Sequence, residues 1–325
     1  MPGHPARLHI VVLDGRTLNP GDLSWNKLNA LGRLTVYEYS KTEEIPLRAK
    51  EAEVVLANKA LLGEQQLAQL PRLRCICVTA SGYNNISLES ARKRGIPVCN
   101  AVGYGTDSVA QHVFALLLTL SNQVAAHHAS VQQGRWGQID DFCYTLSSIP
   151  ELAGKTMGIY GFGRIGQKVA AIAQAFGMEV LATHKHPERD ARPGIGFVGL
   201  ETLFGQSDVV SLHAPLTEEN KGIVNAALLA RMKPTAYLIN TGRGGLVDEP
   251  ALKLALQSAQ LAGAALDVLS SEPPKQGNVL FDAPNCLITP HMAWATREAR
   301  QRLMDITVEN VKAFLRGEPR NVVNL

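Results

Sequence analysis

Three polar residues, each just beyond an apolar run, are of types that can act together. Arg243 stands in N-T-G-R-G-G, Glu272 in L-D-V-L-S-S-E-P-P and His291 in T-P-H-M-A-W-A-T. The preceding runs, 236–240, 263–268 and 286–289, read as strands. In open parallel sheets the carboxyl ends of strands face the ligand crevice, so one guanidinium, one carboxylate and one imidazole are expected to converge there. Arg supplies a planar, permanently charged pair of donors for a carboxylate and the carbonyl beside it, which Lys does not. His is the side chain that titrates nearest neutrality, as the donor of a proton to a nascent alkoxide must. A neighbouring Glu fixes the ring and favours the imidazolium. The set suits reduction of a 2-keto acid by a nicotinamide. Taken singly, each residue has a plainer account: a loop Arg is solvated, Glu272 before Pro273 ends a turn, and His291 after Pro290 caps a strand.

The elements that position them are organised around M-G-I-Y-G-F-G-R-I-G at 157–166. Gly161, Gly163 and Gly166 have G-x-G-x-x-G spacing, between a β-like run and an alanine-rich helical run at 167–176, with a second β-like run at 178–183. Gly161 permits the tight strand-to-helix turn, Gly163 lets the backbone approach a pyrophosphate, and Gly166 lets the helix pack on the strand. The helix N-terminus then directs free N–H groups at the phosphates. Alone the spacing is a weak signal; inside a strand–turn–helix–strand unit it is a strong one.

Strand-like runs at 8–13, 34–39, 53–57, 73–78 and 96–100 alternate with helical stretches, which predicts βαβ units and a parallel sheet without a good phosphate loop. A second series has strands at 157–160, 179–183, 208–213, 236–240, 263–268 and 286–289, the rhythm of a doubly wound nucleotide-binding domain. One long helix is expected over 106–133, capped by Thr106 or Asp107. Its histidines, His112, His127 and His128, fit partly solvated helix positions better than ligands. The last helix, about 296–316, cannot form a domain alone and is expected to return to the first. The fold class is therefore α/β with two doubly wound parallel-sheet domains: a substrate domain over 1–102 plus 292–325 and a Rossmann-type cofactor domain over 103–291. Two such domains meeting at a cleft are where a ligand site is expected.

Length and composition agree. The 325 residues allow two domains, and 46% hydrophobic with 19% charged residues is ordinary globular composition. A net charge of +3 gives no case for nucleic acid or a membrane surface, and no run of 18 apolar residues predicts a membrane span. The N-terminus lacks a signal-peptide pattern, so a cytoplasmic location is expected. Five cysteines show no metal-ligand spacing, and Cys75 and Cys77 read as small residues on one face of a buried strand. No metal is expected.

A-S-G-Y-N-N-I (80–86), G-Y-G-T-D-S-V-A-Q-H (103–112), G-I-Y-G-F-G-R-I-G (158–166), L-H-A-P-L-T (212–217), N-T-G-R-G (240–244), A-L-D-V (265–268) and T-P-H-M-A-W-A-T (289–296) together resemble the D-isomer-specific 2-hydroxyacid dehydrogenase family along nearly the whole chain. Within it, residues 13–25 and W-A-T after the histidine resemble the glycerate dehydrogenase, or hydroxypyruvate reductase, branch. The resemblance implies a flavodoxin-like substrate domain and a role at each matched position. Arg243 would bind the substrate carboxylate and carbonyl, His291 would be the acid/base, and Glu272 its partner. Ser81 and Gly82 would hold the carboxylate through backbone N–H groups, and Trp294 would shape the pocket. Arg164 and Ile165 would lie over the pyrophosphate, and Phe162, between the glycines, is also a cofactor-contact position. His213, Ala214 and Pro215 would lie beside the adenosine half, Thr241 beside the nicotinamide half with Thr106 nearby, and Asp267 on its carboxamide. The region 106–133 would form a two-fold homodimer interface. The partner is a small 2-keto or 2-hydroxy acid.

One departure bears on the cofactor. The acidic residue that holds the ribose 2′-OH of NAD in this fold is replaced by His184, followed by Lys185. A His/Lys pair would attract a 2′-phosphate, so of NAD and NADP the sequence leans to NADP. Two other readings remain: a dehydrogenase of another 2-keto acid, and a non-catalytic dinucleotide-sensing protein on the same scaffold. A methyltransferase with a Gly-rich loop leaves the three polar residues unexplained.

Overall fold

A computed structural model describes residues 8–325. The described chain divides into two compact units: one holds residues up to Gly105 together with Ala295–Leu325, the other is Thr106–Trp294. Each is built on its own parallel sheet.

The first unit carries β1 (His9–Val12), β2 (Arg33–Val36), β3 (Val54–Ala57), β4 (Cys75–Val78) and β5 (Val98–Cys99), in the order β2-β1-β3-β4-β5 with every pair parallel. That is the flavodoxin-like order. β3 and β4 are buried at every residue, as strands with both faces covered must be, which is why they read as unbroken apolar runs. Val308 and Val311 of the terminal helix Arg297–Leu315 pack on the face formed by Ile10, Val12, Leu56, Cys75 and Cys77. The Thr296 side chain caps that helix by accepting from the Ala299 N–H. The helix thus belongs to the first sheet although it follows the second in sequence, and Cys75 and Cys77 are core residues.

The second unit carries β6 (Thr156–Tyr160), β7 (Glu179–Thr183), β8 (Ile195–Phe197), β9 (Val209–Leu212), β10 (Tyr237–Asn240), β11 (Gly263–Leu266) and β12 (Cys286–Ile288). Its order is β12-β11-β10-β9-β6-β7-β8, all parallel. The order reverses between β6 and β9, the place where such sheets open a crevice at their carboxyl edge. β8, an edge strand of three residues, was not expected from the sequence.

The expected single helix over 106–133 is two helices, Thr106–Asn122 and Val124–Gln132, bent by 49° at Gln123. Gln123 adopts a left-handed backbone with φ 48°, which ends the first helix without glycine or proline. Ala110, Val113 and Leu117 of the first helix pack against Met157, Ile159, Ile239 and Ala265 of the sheet. Among the described residues no single helix is long and apolar enough to cross a membrane; the bent pair passes by length and composition only. His127 ties the second helix to the loop after it, its Nδ1 3.0 Å from the Gln123 carbonyl and its Nε2 accepting from the Leu146 N–H at 3.0 Å.

Candidate active site

The glycine loop turns from β6 into the helix Arg164–Ala175. Gly161 has φ +97°, and a Cβ there would lie 2.4 Å from the Ala214 nitrogen, on the segment leaving β9. A Cβ on Gly166 would lie 2.3 Å from the Gly161 carbonyl oxygen. Neither position can take a side chain without moving backbone. Gly163 differs, because a Cβ there meets nothing within 4 Å. The helix begins at the next residue, so its first-turn N–H groups, without intrahelical acceptors, border that open space. Phe162 has its ring in the core beneath, leaving only its backbone for a ligand.

Among the described residues, three buried side-chain polar atoms lack a hydrogen-bond partner, and two of them follow adjacent strands of this edge. Thr241 Oγ1 follows β10. His213 Nδ1 follows β9, while His213 Nε2 is 2.8 Å from Ser211 Oγ and the His213 backbone N–H donates to the Tyr160 carbonyl at 2.7 Å. Burial pushes the His213 imidazole down to about 3, so it is neutral at physiological pH. An open cradle at a helix start, with unsatisfied polar atoms beside it, fits a dinucleotide.

His184 follows β7, where the sequence reading expects a cation. Its Nδ1 accepts from the Phe162 N–H at 3.2 Å, so the ring proton is on Nε2, which donates to Asp190 Oδ2 at 2.7 Å. The ring is therefore an oriented, neutral bridge. Asp190 also takes Arg189 Nη2 at 2.6 Å, and these two partners, Arg189 first, hold its carboxyl at about 2. The charge assigned to His184 is thus corrected: the cations at this position are Lys185 and Arg189, accompanied by one carboxylate six residues on.

Arg243, Glu272 and His291 follow the neighbouring strands β10, β11 and β12. Asn240, fully buried at the end of β10, donates from Nδ2 to the Arg243 carbonyl at 2.9 Å and accepts the Gly242 N–H at 3.0 Å. That fixes the backbone from which the exposed guanidinium projects. A Cβ on Gly244 would lie 1.9 Å from the Leu269 carbonyl carbon, so the Arg243 loop rests directly on the loop that carries Glu272. That second loop is anchored by Glu249, which accepts the Ser270 N–H and hydroxyl at 2.7 Å each and Asn278 Nδ2 at 2.8 Å.

Glu272 uses Oε1 to accept the Leu269 N–H at 2.8 Å and Oε2 to engage His291 Nδ1 at 2.6 Å. His291 has a left-handed backbone, φ 53°, and its N–H donates to the Asp267 carbonyl at 2.8 Å. With Nδ1 committed to a carboxylate, Nε2 is the nitrogen left to exchange a proton with a ligand.

The resemblance places Asp267 on the nicotinamide carboxamide. In the structure its side chain is 1% exposed, and its oxygens take Thr289 Oγ1 at 2.6 Å and the Met292 and Ala293 N–H groups at 2.9 and 2.8 Å. Through these bonds the carboxylate builds the His291 loop. Burial pushes its carboxyl up, but hydrogen bonds from His112, Thr289 and the two N–H groups outweigh that and hold it below the ordinary carboxylate value. Thr106 opens the long helix and half-buried Trp294 closes this unit. Ser81 and Gly82 follow β4 in the first unit, where Ser81 Oγ donates to the Ala101 carbonyl at 2.9 Å. Asn240, Glu249 and Asp190 were not singled out from the sequence. Only Glu249, an acid opening a helix, carries a local signal.

Residues 114–293 match the family described as D-isomer specific 2-hydroxyacid dehydrogenase, NAD binding domain. A hydroxypyruvate reductase of Blautia hydrogenotrophica is 45% identical over 98% of this chain and 100% of its own length. The chain belongs to the D-isomer specific 2-hydroxyacid dehydrogenase family. A glycerate dehydrogenase of Methylorubrum extorquens is 42% identical over 97% of this chain and 98% of its own. A solved acyclic imino acid reductase, in complex with NADPH and D-Arg, superposes with a TM-score of 0.84 at 32% identity, covering 97% of this chain and 100% of that one. As a member of this family the chain is an oxidoreductase acting on CH–OH groups with a nicotinamide dinucleotide.

Gly163, which faces open space, and Gly166, which is packed against backbone, separate binding from folding. Gly163→Ala is expected to keep the wild-type melting temperature and to weaken nicotinamide dinucleotide binding by tenfold or more, because the methyl enters the open cradle. Gly166→Ala is expected to lose roughly 1–3 kcal/mol of stability from overpacking. Thermal melts and fluorescence titrations of both variants check this; equal effects on both properties would sink the assignment of the cradle.

Proposed function

We propose that this protein reduces hydroxypyruvate to D-glycerate, and glyoxylate to glycolate, at the site formed by Arg243, Glu272 and His291. The observation that carries the reading is the 2.6 Å Glu272–His291 pair at the carboxyl edge of the sheet, with Nε2 left open. The bound dinucleotide supplies a hydride. Arg243 pairs with the substrate carboxylate and polarises the carbonyl, as a guanidinium fork does in one plane. His291 gives its Nε2 proton to the developing alkoxide while Glu272 stabilises the imidazolium beforehand and keeps the ring from rotating. One hydride and one proton turn C=O into CH–OH, and the histidine is neutral at the end. The relatives named for hydroxypyruvate reduction and glycerate oxidation, matched along their whole lengths, support the choice of substrate. Trp294, beside the His291 loop, is proposed to restrict the pocket to a small substituent on the keto acid.

For the cofactor we propose NADPH over NADH, on Lys185 and Arg189 rather than on His184. Asp190, the carboxylate bound to His184, already accepts from two side chains, which leaves it a poor acceptor for a ribose 2′-OH. We further propose a homodimer through the bent helix pair and the segment after it, where Val124, Trp136 and Phe142 are exposed apolar residues.

His291→Ala is expected to lower kcat by roughly 10²–10⁴-fold, the usual contribution of a general acid. Reduction consumes the imidazolium and oxidation needs the neutral ring, so reduction should slow as pH rises while oxidation quickens; two flat profiles contradict the role. In parallel assays kcat/KM is expected to be higher with NADPH, and Lys185→Ala should narrow the gap; a strong NADH preference ends that proposal. Light scattering should return twice the chain mass, falling to one chain mass in Val124→Glu; a monomeric wild type removes the dimer.

A further inference from the structure

The left-handed His291 sits at the tip of a short turn, Thr289 to Ala293, and both ends of that turn are held by one face of the helix Thr106–Asn122. Ser108 Oγ donates to the Ala293 carbonyl at 2.6 Å, and four residues on, His112 Nε2 lies 3.0 Å from Thr289 Oγ1. Spacing of i, i+4 puts the two side chains one above the other on the helix surface, which is what a two-point hold requires.

The proton directions along this chain follow from its end. Asp267 is an ionised acceptor, so the Thr289 hydroxyl donates to it at 2.6 Å. That hydroxyl then accepts, and His112 Nε2 is the donor. The same nitrogen is 3.5 Å from Asp267 Oδ1, so the His112 N–H faces both oxygens. Asp267 in turn accepts the N–H groups of Met292 and Ala293, the two residues that follow His291. With a side chain 15% exposed, His112 is a half-buried member of this network.

We propose that His112 is a positioning residue for His291, acting through Thr289 and Asp267 to hold the imidazole in its reactive placement. The proposal rests on the role of His291 given above. Its physical content is the order of a strained turn. A non-glycine residue at positive φ persists only where its surroundings over-determine it. Removing the His112 N–H leaves Thr289 Oγ1 and the buried Asp267 short of a donor and frees one end of the turn. Hydride transfer and protonation are intolerant of small misplacement, so the loss falls on turnover rather than on binding. The glycine cradle lies on other elements and is untouched.

The test uses His112→Leu, His112→Gln, Thr289→Val and the His112→Leu/Thr289→Val pair, with His291→Ala as reference. His112→Leu is expected to lower kcat at saturating hydroxypyruvate and cofactor by roughly tenfold, the scale of one hydrogen bond. KM and dinucleotide affinity should stay within about twofold. Glutamine, whose amide N–H reaches about as far as Nε2, should restore kcat to within about threefold. The double variant should be no slower than the slower single, because both break one chain. Wild-type kcat in His112→Leu and Thr289→Val, a loss confined to KM or melting temperature, or singles whose effects multiply would each overturn the proposal. Full turnover in His291→Ala would instead overturn the assignment of the acid, which keeps the two failures distinct.

Discussion

A carboxylate with almost no water around it holds this active site together. Asp267 lies at the end of β11, enclosed by the turn whose N–H groups it accepts. Burying a charge costs several kcal/mol unless hydrogen bonds replace the lost hydration. Here the replacement donors are the very groups that must be fixed: two backbone N–H groups beside His291, the Thr289 hydroxyl and the His112 ring. In its left-handed shape the turn brings these donors to the charge, so the charge and the turn support each other. An asparagine of equal size would present an NH₂ group where an acceptor is needed.

The same edge of the sheet is crowded to the point where only glycine fits. Gly161 abuts the backbone leaving β9, and Gly244 abuts the Leu269 carbonyl. These contacts set the spacing between functional groups on different strands. The Arg243 loop lies on the Glu272 loop because nothing thicker than a hydrogen separates them, and Glu249 pins the second loop from the far side. Parallel strands deliver their carboxyl ends to one edge, and close backbone packing turns that rough convergence into fixed geometry.

Much of this was legible in the chain. Strands buried on both faces leave apolar runs, so β3 was placed to within one residue, and β7, with its alternate residues buried, was placed to the residue. The terminal helix was placed at about 296–316, close to its observed Arg297–Leu315, and the glycine spacing marked the cradle. What escaped had no local signal. β8 is three half-buried residues at a sheet edge, too short to show alternation. The bend at Gln123 lies in a run that keeps its apolar period and holds no glycine or proline. His184 looked cationic beside Lys185, and only folding brings the Phe162 N–H to one side of its ring and Asp190 to the other. The burial of Asp267 and the tie from His112 to Thr289 join residues 177 positions apart. Spacing along the chain does not encode such a tie.

Three of the histidines that follow strands of the second sheet, His184, His213 and His291, differ in their surroundings, and these decide which can act as the acid proposed above. His184 has both ring nitrogens occupied, one accepting an N–H and the other donating to a carboxylate, so it has no nitrogen to offer a ligand. His213 has a free Nδ1, but no anion is paired with its ring and burial keeps it neutral until about pH 3, so it has no proton to give at neutral pH. His291 alone of the three combines a carboxylate on one nitrogen with an open second nitrogen. The carboxylate that partners it is partly exposed, so the pair retains some hydration in both protonation states. Exchange of a single proton at Nε2 then changes the charge of the site by one without stripping a buried ion of its partner, which suits the acid and base roles proposed for this ring.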